Sequence, residues 1–150
     1  MPRVLVVHHS PSPACRAMHE AALDGLTQEG LEGIEVVVRP ALTCSPVEAL
    51  EADALLLGTP ANMGYMSGAL KHFFDQLYYV GLDVTRGRPY GLWVHGDNDA
   101  TGCVRSVDKV AGALQWRQVA EPVCVVGSPD ASQRVALMEL AATVAVSVLP

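Results

Sequence analysis

Short runs of unbroken apolar residues recur along the chain, and most are followed by a stretch whose apolar residues repeat at helical spacing. Arg3 to His8 reads as a first buried strand, followed by a tight loop, His9 to Cys15. From Arg16 to Glu29 the residues Met18, Ala22, Leu23 and Leu26 form one helical face, which Gly30 and Gly33 bring to an end. Ile34 to Arg39 is a β-branched second strand. Ser45, Pro46 and Glu48 have the order of an N-cap, a first-turn proline and an acidic first turn, and start a short helix. Asp53 to Gly58 supplies a third strand, and a loop from Thr59 to Met66 leads into a helix beginning SGALKHFFDQLYYV. There Leu70, Phe73, Phe74 and Leu77 make the inward stripe, and Lys71 and Asp75 form an i,i+4 pair on the wetter side. Pro89 to His95 is a fourth strand, and Cys103 to Leu114 a fourth helix. Val123 to Val126 is a fifth strand, and Ser128, Pro129 and Asp130 open the last helix.

Five strands alternating with helices, most without polar alternation, predict a parallel sheet covered on both faces. Right-handed crossovers place every strand-to-helix loop on one edge of that sheet. No linker or internal repeat interrupts the pattern, so residues 1–150 form one domain.

Composition narrows the function classes. Ten Lys and Arg against sixteen Asp and Glu leave a net charge of −6, with no basic stripe to neutralise nucleic-acid phosphates. Cys15, Cys44, Cys103 and Cys124 lie far apart without CxxC spacing, which is the usage of free thiols in a reducing compartment. No signal-peptide layout or membrane-length apolar run is present, so a cytoplasmic location without membrane contact is expected. Adjacent His8 and His9 point in opposite directions if strand geometry continues, so no metal site is expected.

Three loops at the carboxyl ends of the strands carry the candidate chemistry. In the first, Ser10 and Ser12 offer hydroxyls, and the amides of Ala14, Cys15 and Arg16 can face an anion at a helix N-terminus. The same residues also suit an ordinary helix cap, and Pro11 and Pro13 have no N–H to donate. In the second, Thr59 and Asn62 provide directional hydrogen bonds and Gly64 allows close approach, while Met63, Tyr65 and Met66 offer surface to a flat ligand. These side chains equally suit covering the sheet end or a dimer seam. In the third, which runs from His95 to Gly102, Asp97, Asn98 and Thr101 suit either the edge of a ring or local Asx turns and a cap for the next helix, and Gly96 and Gly102 permit a tight route beside a ligand.

The block GTPANMGYMSGALKHFFDQL resembles the flavodoxin-like FMN-dependent oxidoreductases, and within them the NAD(P)H:quinone oxidoreductase branch. Gly58, Thr59, Pro60, Gly64, Met66, Ser67, Gly68, Lys71, Phe73 and Asp75 match the GTPxxxGxMSGxxKxFxD pattern of that branch. The resemblance implies a doubly wound three-layer sandwich with a five-stranded parallel sheet of order 2-1-3-4-5. It implies FMN as cofactor, with its phosphate held by Ser10, Ser12, Ala14 and Cys15. Pro60, Ala61, Asn62, Met63, Gly64 and Tyr65 would border the isoalloxazine ring, and His95, Gly96, Asp97 and Asn98 would approach from the other side. The first loop departs from the pattern, which has a glycine near Pro13 and a hydroxyl residue near Cys15.

With FMN bound, the cofactor carries the redox chemistry and no catalytic side chain is required. The expected reaction passes reducing equivalents from NADPH or NADH to a quinone or similar small acceptor. Asn62 or Asn98 would stabilise negative charge at the pyrimidine, Tyr65 would stack, and His95 would donate a hydrogen bond. Two other readings stay open: an electron carrier serving a redox partner protein, and a flavodoxin-like binding module with a degenerate cofactor site. Tyr78, Tyr79, Val80 and the apolar last helix suggest a homodimer.

Overall fold

The computed structural model describes residues 1–150. The chain runs β1 (Arg3–His8), α1 (Pro13–Gly25), β2 (Glu35–Pro40), α2 (Pro46–Glu51), β3 (Ala54–Asn62), β4 (Tyr65–Met66) and α3 (Gly68–Gly81). It continues with β5 (Pro89–Gly96), α4 (Thr101–Ala113), β6 (Arg117–Gln118), β7 (Val123–Val126) and α5 (Ala131–Val146). Parallel pairing orders the sheet β2-β1-β3-β5, and β6 and β7 both pair with β5 as successive pieces of one outer strand. Counting that outer position once gives the expected five-stranded 2-1-3-4-5 order.

Alternate residues of the strands feed two cores. Leu5, Val7, Leu55, Leu57, Leu92 and Val94 face one side, where Leu70, Phe73, Phe74 and Leu77 of α3 and Cys103, Val107 and Ala111 of α4 cover them. Val4, Val6, Ala54, Leu56 and Trp93 face the other, beneath Met18, Ala21 and Ala22 of α1 and Leu137, Leu140 and Val144 of α5. Each fully buried aliphatic or aromatic side chain here is worth about 1.5–3 kcal/mol. No helix is long and apolar enough to cross a membrane.

Several boundaries differ from those the sequence suggests. Helix α1 starts at Pro13, not Arg16, because Ser12 caps it and proline fits the first turn, where an N–H would be unbonded anyway. It ends at Gly25, not Glu29: Thr27 Oγ1 and Gln28 Nε2 donate to the Asp24 carbonyl and close the last turn. Helix α4 starts at Thr101, with the Asp99 carboxylate accepting from the Thr101 amide. The largest difference concerns Thr59 to Met66, expected as a loop. Strand β3 continues to Asn62, and Ala61 and Asn62 pair antiparallel with Met66 and Tyr65. The two-residue turn, Met63 and Gly64, has positive φ at both positions, the geometry that matches strand twist in a tight hairpin.

Candidate functional site

Parallel register brings the three loops to one edge. His8 lies level with Gly58, and Pro60 with His95, so the ends of β1, β3 and β5 stand side by side. An open hollow of about 590 Å³ at the opposite edge, lined by Met1, Pro2, Asp53, Val148 and Pro150, has none of this chemistry.

The first loop spends part of its donor set on itself. The Ser12 hydroxyl accepts from the Cys15 amide at 3.2 Å, and the Ser12 carbonyl accepts from the Arg16 amide at 2.9 Å. Cys15 is buried, and Pro11 and Pro13 have no N–H. The Ala14 amide has no acceptor in the chain. Ser10 Oγ lies 2.8 Å from His8 Nδ1, and the His8 ring stacks on His19 of α1 with centroids 3.8 Å apart. Burial, then the neighbouring His19 and His9, lowers the His8 pKa to about 4. Burial also lowers that of His19, against an opposing pull from Glu20. His19 Nδ1 is buried with no hydrogen-bond partner.

The second loop is a braced hairpin. Thr59 is buried, and its hydroxyl donates to the Pro60 carbonyl and accepts from the Ser67 amide. Ser67 in turn caps α3, accepting from the Leu70 amide. Met66, expected to offer surface to a ligand, is instead buried in the core beneath α3 and α4, and its amide donates to Ser106 Oγ of α4 at 3.0 Å. A Cβ on Gly102 would lie 2.2 Å from the Gly64 carbonyl oxygen, so the turn rests directly on the backbone of α4. Pro60 is buried and Ala61 half-buried, whereas Asn62, Met63, Gly64 and Tyr65 are exposed at the tip. Several residues of the GTPxxxGxMSG pattern thus build and hold the hairpin, which leaves Asn62, Met63 and Tyr65 as its presenting surface.

In the third loop, Gly96 is buried, and Asp97 and Asn98 are exposed with amides that have no backbone acceptor. The half-buried His95 ring places Nε2 3.0 Å from the Gly127 carbonyl, which ties it to the turn after β7. Asp99 accepts from both the amide and the hydroxyl of Thr101, and these bonds hold its carboxyl below the ordinary range. Burial pushes the Cys103 thiol up to about 12, consistent with a packing role. No group of three or more His, Cys, Asp or Glu is placed to hold a metal ion.

The sequence located the loops, and Gly102 as a point of close approach, but not the contacts that organise them. Gly102 and Ser106 brace the hairpin from α4, and His19 meets His8 across the first loop. Trp93 lies against the backbone of Gly58, where a Cβ would be 2.0 Å from the indole ring. Each depends on the register between distant segments, for which periodicity within one segment carries no signal.

Fold and loops together define a flavodoxin-like α/β protein. A family model described as NADPH-dependent FMN reductase matches residues 47–131, and the chain belongs to that family. Over 77 residues it is 34% identical to a protein named flavodoxin from Aquifex aeolicus, a match spanning 51% of this chain and 40% of the relative. The match therefore covers less than half the length of that curated relative. Among solved structures, a flavodoxin from the domain Archaea superposes with a TM-score of 0.82 at 17% identity, over 97% of this chain and 98% of that one. A flavodoxin from Streptococcus pneumoniae gives 0.80 at 22% identity, over 97% and 99%. A WrbA-like flavodoxin protein from Agrobacterium tumefaciens gives 0.77 at 16% identity, over 98% and 97%.

Proposed function

We propose that this chain binds FMN at the loop edge and transfers reducing equivalents from NADPH or NADH to a quinone or similar small acceptor. The observation that carries this reading is the braced hairpin beside the third loop. Its tip presents Asn62 and Tyr65, while Asp97 and Asn98 offer unpartnered amides. That donor set fits the edge of a flat heterocycle rich in carbonyl and ring-nitrogen acceptors. The phosphate end also fits, more sparsely: the Ser10 hydroxyl and the Ala14 amide stand at the N-terminus of α1.

Bound FMN would supply hydride and electron chemistry, and this chain's residues bind and orient it. Amides fixed at the ends of β3 and β5 need not reorganise as negative charge develops near them, which is the source of their stabilising effect. Tyr65 offers a stacking face, and the Met63–Gly64 turn is held against Gly102 of α4. The test is NADPH oxidation by FMN-loaded protein with a quinone present. Multiple turnovers per protein support the reading, and turnover no faster than free FMN rejects it.

A second reading is electron carriage for a redox partner protein. It is favoured by the near full-length likeness to flavodoxins and by the net charge of −6, which suits docking to a basic partner. Reduction by a reductase protein, without direct NADPH oxidation, selects it. Homodimer formation belongs to the same proposal, because Tyr79, Val80 and Val84 are exposed together near the end of α3. Sedimentation at micromolar concentration tests it.

A further inference from the structure

A groove between α3 and α4 opens beside the hairpin and takes no part in the loop edge. It encloses about 180 Å³ and is lined by Phe74, Tyr78 and Tyr79 of α3 and Val110 of α4, with Lys71 and Asp75 toward the start of α3. Phe74 is buried beneath it, and the rings of Tyr78 and Tyr79 meet edge to face with centroids 5.2 Å apart. A pocket that encloses a whole small ligand has roughly 300–1,000 Å³, so this one suits a single flat ring system on aromatic surface.

The free charge beside the groove is positive. On α4, Gly102 and Ser106 face the hairpin and Val110 lines the groove, whereas Val104 and Asp108 turn to the other flank, toward residues 118–122. Gly102, Arg105 and Lys109 repeat at i, i+3 and i+7, so both cations stand on a ridge that starts at the hairpin and follows the groove's outer rim. At 1.5 Å per residue, Lys109 lies about 10 Å along α4 from Gly102. Both cations are exposed and neither makes an ion pair. Asp75, the carboxylate lining the groove, is bound by Lys71, and Asp108 accepts from the Tyr90 hydroxyl on the far flank.

We propose that this groove holds the adenosine end of a 2′-phosphorylated nicotinamide dinucleotide, with the purine over Phe74 beside Tyr78 and Tyr79, and with Arg105 and Lys109 taking its pyrophosphate and 2′-phosphate. The inference rests on the reading of this chain as a flavoprotein with a nicotinamide donor, and adds the basis on which NADPH is preferred to NADH. A 2′-phosphate forms charge-assisted bonds with cations that have no partner in the chain, and a 2′-hydroxyl gains no such bond. The nicotinamide end reaches back along the same ridge to the hairpin, where Gly102 supports the turn.

The test titrates the full chain, with and without FMN, with adenosine 2′,5′-bisphosphate, adenosine 5′-diphosphate and inorganic phosphate, read by calorimetry and backbone NMR shifts. Tyr79 also belongs to the exposed patch with Val80 and Val84, so the protein is kept at a concentration where sedimentation shows one species. The bisphosphate is expected to bind about tenfold or more tighter than the diphosphate, the worth of one added charge-assisted bond. Its shifts should centre on residues 71–79 and 105–113, and inorganic phosphate should not reproduce them. Arg105→Gln with Lys109→Gln, two exposed positions without partners, should bring the two nucleotides within about twofold of each other while FMN affinity stays native. Equal native affinities, shifts matched by inorganic phosphate, or a preference that survives the double variant would overturn the proposal and leave FMN binding intact. Failure of FMN to bind the folded chain is a separate outcome, which overturns the flavoprotein reading and this inference with it.

Discussion

At Gly58 the backbone passes so close to Trp93 that a methyl group would sit 2.0 Å from the indole. Trp93 is itself packed between the sheet and the α1/α5 layer, so neither side has room to yield. Gly58→Ala should therefore lower unfolding stability by about 1–3 kcal/mol in urea, the usual cost of overpacking a core. A loss below about 0.5 kcal/mol would mean that the strand end is looser than described. A second residue-scale expectation concerns His8 and His19, whose folded pKa values lie below the ordinary 6.5. As pH falls below 6.5 the unfolded chain binds these protons before the folded one. Their contribution is therefore present above 6.5 and is lost as pH falls toward 4. The urea midpoint should drop between pH 7 and 5, and a His8→Phe, His19→Leu double variant should drop less. An equal drop in both proteins would assign the effect to other groups. The sequence contained these residues but not their meeting: His8 and His19 sit on different elements, and their stacking depends on how α1 crosses β1.

The hairpin of β3 and β4 owes its position to α4. The bond from the Met66 amide to Ser106 Oγ is buried at both ends, so Ser106→Ala leaves a backbone donor unsatisfied. A destabilisation of about 1–3 kcal/mol is expected, with faster hydrogen exchange at Met66. Unchanged exchange there would show that the hairpin does not depend on this brace. Most strands and helices were legible from apolar runs and helical spacing, and Ser45 and Asp130 mark true N-caps. The hairpin was not, because Thr59 to Asn62 has no β-branched alternation and the turn is Met63–Gly64, with a non-glycine residue at positive φ. The expected start of helix α1 falls three residues late because Pro13 resembles a loop residue, although it sits where a first turn accepts it.

Across the whole molecule, five parallel strand positions in the order β2-β1-β3-β5 followed by β6 and β7 place the loop edge where a doubly wound sheet holds a ligand. The sequence pattern was enough for this architecture, because unbroken apolar strands between helices have few other ways to bury both faces. The site was legible only in part. The GTPANMGYMSG block lies at that edge, but chemistry alone could not separate residues that build the hairpin, such as Thr59 and Ser67, from those it presents, such as Asn62 and Tyr65. The central claim is that this edge binds FMN. Titration of cofactor-stripped protein with FMN, followed by flavin fluorescence and visible absorbance, tests it most directly. The account predicts saturable binding of one FMN per chain, with shifted visible bands, and weakened binding when Asn62 and Asn98 are both changed to Ala. Absence of binding while the protein stays folded would contradict it.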